Sequence, residues 1–155
     1  MKRILLSAIF LCSCQSASEE KIVLYPAENC KLEFTACKRD MTQAEFAPGI
    51  CVYKDELYLY ALQDPPCSYL KTGRLYLGAQ VIDLDVRNLA TPWVEKRDLS
   101  EADVELKKGM LENTPYYSLK VYFRKGGAND YMAEWEIYKG KSVRTAIKSL
   151  NDVGE

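Results

Sequence analysis

Two pairs of acids carry the spacing that carboxylate chemistry requires. Asp83 with Asp85, and Glu134 with Glu136, sit two residues apart, so on a strand each pair projects from one face about 6.5–7 Å apart at the backbone. Glycoside hydrolysis needs only two carboxylates at a set separation, and hard divalent cations take carboxylate oxygens. The same spacing also describes a solvated strand face with cross-strand ion pairs, which is the expected reading for both pairs. The chain has no histidine, which excludes serine–histidine and cysteine–histidine catalysis and removes the commonest metal ligand. Lys125-Gly126-Gly127 lacks the spacing of a phosphate loop. The expectation is a protein that is not an enzyme and holds no cofactor and no metal; a histidine-free carboxylate hydrolase acting on cell-wall glycan is the alternative.

Tyrosine and cysteine supply the other chemical signals. Among 11 tyrosines, Tyr58 and Tyr60 share one face of a strand, and Tyr122 and Tyr138 fall on the charged face of a C-terminal hairpin. An apolar ring with a hydrogen-bonding tip suits a protein or carbohydrate contact surface, and it equally suits cross-strand packing in an ordinary sheet. Four cysteines, Cys30, Cys37, Cys51 and Cys67, follow the N-terminal region with 6, 13 and 15 residues between them. These intervals do not match the close pairs of a zinc site. An even number in an oxidising compartment predicts two disulfides. On an extended strand Cys30 and Cys37 would lie roughly 23 Å apart, too far for one bridge. Cys37–Cys51 with Cys30–Cys67 is therefore the preferred pairing, with the remaining connectivity left open.

The compartment itself is read from the N-terminus. Met1-Lys2-Arg3 is basic, and Ile4 to Leu11 is an uncharged apolar run, the length of a signal-peptide core and too short to cross a membrane as a helix. Leu11-Cys12-Ser13-Cys14 follows directly and resembles the bacterial lipobox, with Cys12 at the tolerated second position. The resemblance implies cleavage before Cys14, lipidation of that cysteine and a membrane anchor of two or three acyl chains. It also implies, from Gln15 in place of Asp, sorting to the periplasmic face of the outer membrane in a Gram-negative host. Cleavage after Ser18 would instead release a soluble secreted binding protein.

The organisation that follows is a signal peptide over 1–13, a lipidated tether over 14–20 and one periplasmic domain over 21–155. Loss of Lys2 and Arg3 leaves 19 basic against 22 acidic residues, a net charge of −3. Such a surface gives no electrostatic case for nucleic acid.

The elements that must position these residues read mostly as strands. Lys21–Tyr25 and Lys31–Ala36 are β-prone, Met41–Gly49 reads as a loop, and Ile50–Lys54 with Glu56–Leu62 reads as a hairpin ended by Asp64-Pro65-Pro66. Arg74 to Arg87 reads as one long strand with Ile82, Leu84 and Val86 inward and Asp83, Asp85 and Arg87 outward. Leu119, Val121 and Phe123, then Tyr131, Ala133, Trp135 and Ile137, alternate around Gly126-Gly127-Ala128-Asn129 as the clearest hairpin. Lys120 and Arg124 would face Glu134 and Glu136 across it.

Two helices are expected: one near 100–109, from the capping box Ser100-Glu101-Ala102-Asp103 to Gly109, and one near 142–152, from the stripe Val143, Ala146, Ile147 and Leu150. The predicted fold class is α+β, mainly antiparallel sheet, disulfide-stapled in its first half with the C-terminal helix packed on it. Function is expected to be protein binding, as an accessory subunit of an envelope complex or an immunity-type inhibitor, with the membrane contacted through the lipid.

Overall fold

The computed structural model describes residues 19–38, 45–47, 50–53, 56–59, 68–91, 99–124 and 130–150, with side chains over 19–37, 68–89, 99–124 and 130–150. The signal peptide, Cys14, Tyr60, Cys67 and the Gly126–Asn129 turn lie outside these residues, as do the side chains of Cys51 and Tyr58.

The described chain is almost entirely antiparallel strand. β1 (Glu19–Ala27) and β2 (Cys30–Lys38) form a hairpin. β3 (Glu45–Ala47), β4 (Ile50–Tyr53) and β5 (Glu56–Leu59) form a small separate sheet, in which β4 and β5 make the hairpin expected over 50–62. β6 (Ser68–Leu77), β7 (Gln80–Leu84) and the short β8 (Ala90–Thr91) then join the first hairpin in the order β1-β2-β6-β7, with β8 on β6. β9 (Val104–Leu111), β10 (Thr114–Phe123), β11 (Tyr131–Tyr138) and β12 (Lys141–Ser149) follow as a four-stranded meander, the second main sheet.

Alternation supplies the core. Leu32, Phe34, Leu75 and Ile82 from the first sheet meet Leu119, Val121, Phe123, Tyr131, Trp135 and Ile137 from the second, all at 2% exposure or less. Phe34 and Phe123 touch across the gap with ring centres 6.0 Å apart and planes tilted by 60°. Gly73 stands where the sheets are tightest, since a Cβ there would come within 2.7 Å of Val86 and 3.0 Å of the Phe34 ring.

Both expected helices are strands. The capping box does form: the Ser100 N–H donates to the Asp103 carboxylate at 3.0 Å, and the Asp103 N–H donates to the Ser100 carbonyl at 3.0 Å. It closes a single 3₁₀ turn, Glu101–Asp103, after which β9 pairs with β10 along its whole length. Gly109 is no helix end; it lies opposite Tyr116, whose ring occupies the space a Cβ would take.

At the C-terminus, β12 pairs with β11 in a register that slips opposite Glu134 and Trp135, leaving Thr145 as an extra residue. The apolar residues of the expected stripe therefore divide between the faces, Ile147 opposite inward Ala133 and Val143 opposite Glu136, where it is 63% exposed. The chain is thus not α+β, and the run 74–87 is not one strand but β6 and β7 joined through Gly78, which has φ +60°.

The disulfide framework is likewise corrected. Cys30 and Cys37 are free, buried thiols at the two ends of β2. Cys30 belongs to the core, and burial pushes its thiol pKa up, the behaviour of a small core residue rather than a reactive one; Cys37 is buried opposite Glu19 and Tyr69. Among the described residues there is no staple in the first half.

Candidate functional site

Three of the four acids singled out by spacing, Asp83, Asp85 and Glu134, sit in ion pairs, and Asp85 reaches the other sheet. Asp83 binds the Arg74 Nε at 3.2 Å across β6 and β7. Asp85 takes two bonds from Arg87, at 2.8 and 3.0 Å, and faces Arg144 of β12 at 3.8 Å. The Arg87 bonds, reinforced by Arg144, hold the Asp85 carboxyl pKa down at about 2 against its partial burial.

The backbone beside these acids is equally occupied. The edge of β7 and the segment that follows it present the carbonyls of Asp83, Asp85 and Arg87. Side chains of the second sheet cover them: Ser142 Oγ donates to Asp83 at 2.6 Å, Trp135 Nε1 to Asp85 at 3.0 Å and Arg144 Nη1 to Arg87 at 2.8 Å. A sheet edge that would otherwise template another chain is closed by donors from the opposite sheet.

In the second pair the ion pair belongs to Glu134, while Glu136 stands opposite Ser118 and Val143. Glu134 meets Lys120 at 3.6 Å, as the alternation predicts, and accepts from Ser118 Oγ at 3.3 Å. Arg124 turns instead to Asp103, at 2.8 Å from Nη2. Burial raises the Asp103 pKa, but bonds from Ser100 and Arg124 outweigh it and the net shift is down. Every described carboxyl with a displaced pKa, Glu19, Asp85 and Asp103, is displaced downward, the opposite of what a general acid requires. No group of three metal-ligating side chains occurs among the described residues.

The tyrosines divide. Tyr122 and Tyr138 do lie on the outer face of the second sheet, but several rows apart along β10 and β11. The Tyr122 hydroxyl donates to Glu105 at 2.8 Å, which raises its pKa, and the Arg124 guanidinium lies 5.3 Å from its ring centre. Tyr138 carries the Lys139 ammonium 5.0 Å from its ring centre and stands opposite Tyr116.

The more telling surface is one end of the molecule. Glu28-Asn29 joins β1 to β2, Gly78-Ala79 joins β6 to β7, Glu112-Asn113 joins β9 to β10, and Lys139-Gly140 joins β11 to β12. All four turns lie at the same end. The Gly78 N–H donates to the Asn29 carbonyl at 2.9 Å, and Gly140 abuts the Gln80 side chain. Of the seven large hydrophobic residues most exposed in the described structure, six (Tyr25, Val81, Met110, Leu111, Tyr116 and Val143) lie within three residues of these turns. Exposed apolar residues gathered at one place mark contact surfaces, whereas scattered ones do not.

Sequence reading by alternation passed over this end, although it left a trace. Ile22-Val23-Leu24-Tyr25 and Met110-Leu111 are unbroken apolar runs on strands that bury one face only, so alternate members had to face water. Comparison with protein-family models, curated proteins and solved structures returns no match.

Proposed function

We propose that this chain is an outer-membrane lipoprotein, anchored through Cys14 on the periplasmic face, that acts by holding a protein partner with its four-turn end rather than by catalysis. The observation that carries this reading is polarity. β1 begins at Glu19 and runs toward the four turns, so a lipid on Cys14, five residues earlier, would tether the opposite end within about 18 Å of the bilayer. The apolar end would then point away from the membrane. Its exposed Met110, Leu111 and Tyr116, close to Tyr138, have the composition of a contact core, in which aromatic residues and methionine are enriched.

The test has two arms. Radiolabelled palmitate should enter the wild-type chain and be lost in Cys14→Ser; an unlabelled wild type would defeat the anchor and leave a secreted binder. Affinity purification of the tagged chain from envelope extract, with mass spectrometry, should return a partner that is lost in the double substitution Met110→Glu with Tyr116→Ala and retained in Lys71→Gln at the opposite end. Equal recovery from both variants would defeat the turn-end assignment.

A further inference from the structure

The outer side of the first sheet carries a concavity of about 700 Å³ at the four-turn end, walled by Tyr25 and Tyr76. A slip in the β1–β2 register between Leu24 and Ala27 turns Tyr25 out of the ladder, the re-aiming that bulges provide. Its side chain is 63% exposed, and its N–H points away from the sheet to Glu101, at 3.4 Å. Tyr76 is held more firmly. The Lys31 ammonium sits 3.7 Å from its ring centre.

Small residues leave the space between the walls open. Ala27 and Gly78 line the floor, and an added Cβ at Gly78 would meet nothing within 4 Å. The rim carries a carboxylate on Glu28, an amide on Asn29 and the ammonium of Lys31, so donors and acceptors alternate around an aromatic pair.

We infer that this concavity is a binding site for a neutral saccharide. A pyranose ring offers a C–H face to stack on tyrosine and hydroxyls that both donate and accept, matching a rim that contains both kinds of partner. An anionic ligand would meet Glu28, and a purely apolar one would strip water from Glu28 and Lys31 without replacing their bonds. The site is the first-sheet side of the four-turn end, built on other residues than Met110 and Tyr116, and does not depend on the lipid anchor.

The experiment uses the full chain, purified in a sugar-free zwitterionic detergent and titrated with tri-N-acetylchitotriose and with cellotriose. Calorimetry measures affinity, and amide shift mapping on the unmodified chain locates the site. At least one of the two saccharides is expected to bind saturably, with shifts concentrated over residues 25–31 and 76–78. Tyr25→Ala, at an exposed position where folding is not at stake, and Tyr76→Ala should each weaken binding about three- to tenfold. Tyr122→Ala on the other sheet should leave it unchanged. A preference for chitotriose would point to amino-sugar polymers and a preference for cellotriose to plain glucans; either supports the site. Absence of binding by both saccharides, shifts centred elsewhere, or unchanged affinity in Tyr25→Ala would overturn it.

Discussion

The two main sheets share one plan and differ in how their turns are built. Each contains two hairpins closed by two-residue turns at the same end, and Glu-Asn occupies the first turn of both, at 28–29 and 112–113. In the second sheet both turns place two consecutive residues at positive φ, Glu112 and Asn113 at 48° and 61°, Lys139 and Gly140 at 49° and 74°. That geometry matches the twist of the flanking strands. Its outer face is laced by Lys120 with Glu134 and Tyr122 with Glu105.

The first sheet has one positive-φ residue per turn, Asn29 and Gly78, a bulge before the Glu28-Asn29 turn, and exposed Val23, Tyr25 and Val81. Both sheets carry paired charges, with Arg74–Asp83 and Lys71–Glu19 on the first, and both expose apolar residues near the turns. What sets the first apart is the β1 bulge and its single positive-φ residue per turn, which leave the concavity beside Tyr25.

The comparison breaks first at the core the sheets share. Trp135 belongs to the second sheet but donates to the Asp85 carbonyl of the first while fully buried. Trp135→Ala should cost about 3–5 kcal/mol, from the cavity and the orphaned carbonyl together. Urea unfolding followed by far-UV circular dichroism should show both sheets melting in one transition at a lower midpoint. Two separated transitions would mean that the sheets are independent units.

Next in size is the contrast between two glycines of the first sheet. Gly73→Ala drives a methyl into Val86 and Phe34 and should cost about 1–3 kcal/mol through overpacking. Gly78→Ala has open space and meets only the penalty of φ +60°, about 1 kcal/mol. If thermal unfolding ranked Gly78→Ala as the more damaging, the tight approach of the sheets at Gly73 would be wrong.

What the sequence made legible follows from what each signal measures. Period two around Leu119–Phe123 and Tyr131–Ile137 reports burial directly, and each named inward residue of that hairpin is buried. The same test on 74–87 found Ile82, Leu84 and Val86 inward but missed that Leu75 is buried too. The switch from odd to even positions is the trace of a two-residue turn. The stripe at 143–150 misled because apolar type does not report burial there, Val143 facing water and Ile147 facing inward, and the capping box misled because it fixes how a turn begins and not how far it runs. The apolar turn end was hidden for another reason: it depends on four turns being brought together, a long-range fact that no local period encodes.

The seam between β7 and β12 distinguishes the sheets by pH. The Asp85 pKa lies at about 2 in the folded chain against 3.8 as its ordinary value. A depressed folded pKa means that its stabilisation is fully present above about pH 4 and lost as pH falls toward 2. With screening at a partly exposed site, the effect should be on the order of 1 kcal/mol. The stability gap between the wild type and Asp85→Asn should therefore be level above pH 5 and close as pH falls toward 2. A gap that stays constant down to pH 2 would remove Asp85 from the linkage.

The smallest effect probes the outer face of the second sheet. Lys120 and Glu134 are directly opposed on β10 and β11, 3.6 Å apart, with side chains 30% and 18% exposed. A cross-strand pair of this kind contributes about 0.2–1 kcal/mol. A double-mutant cycle with Lys120→Gln and Glu134→Gln should return a coupling in that range, shrinking with added salt. Ser118 Oγ also donates to Glu134 at 3.3 Å, so Glu134→Gln alone should cost more than Lys120→Gln alone. The reverse order would mean that the face is held by the lysine stem packing on the sheet rather than by charge.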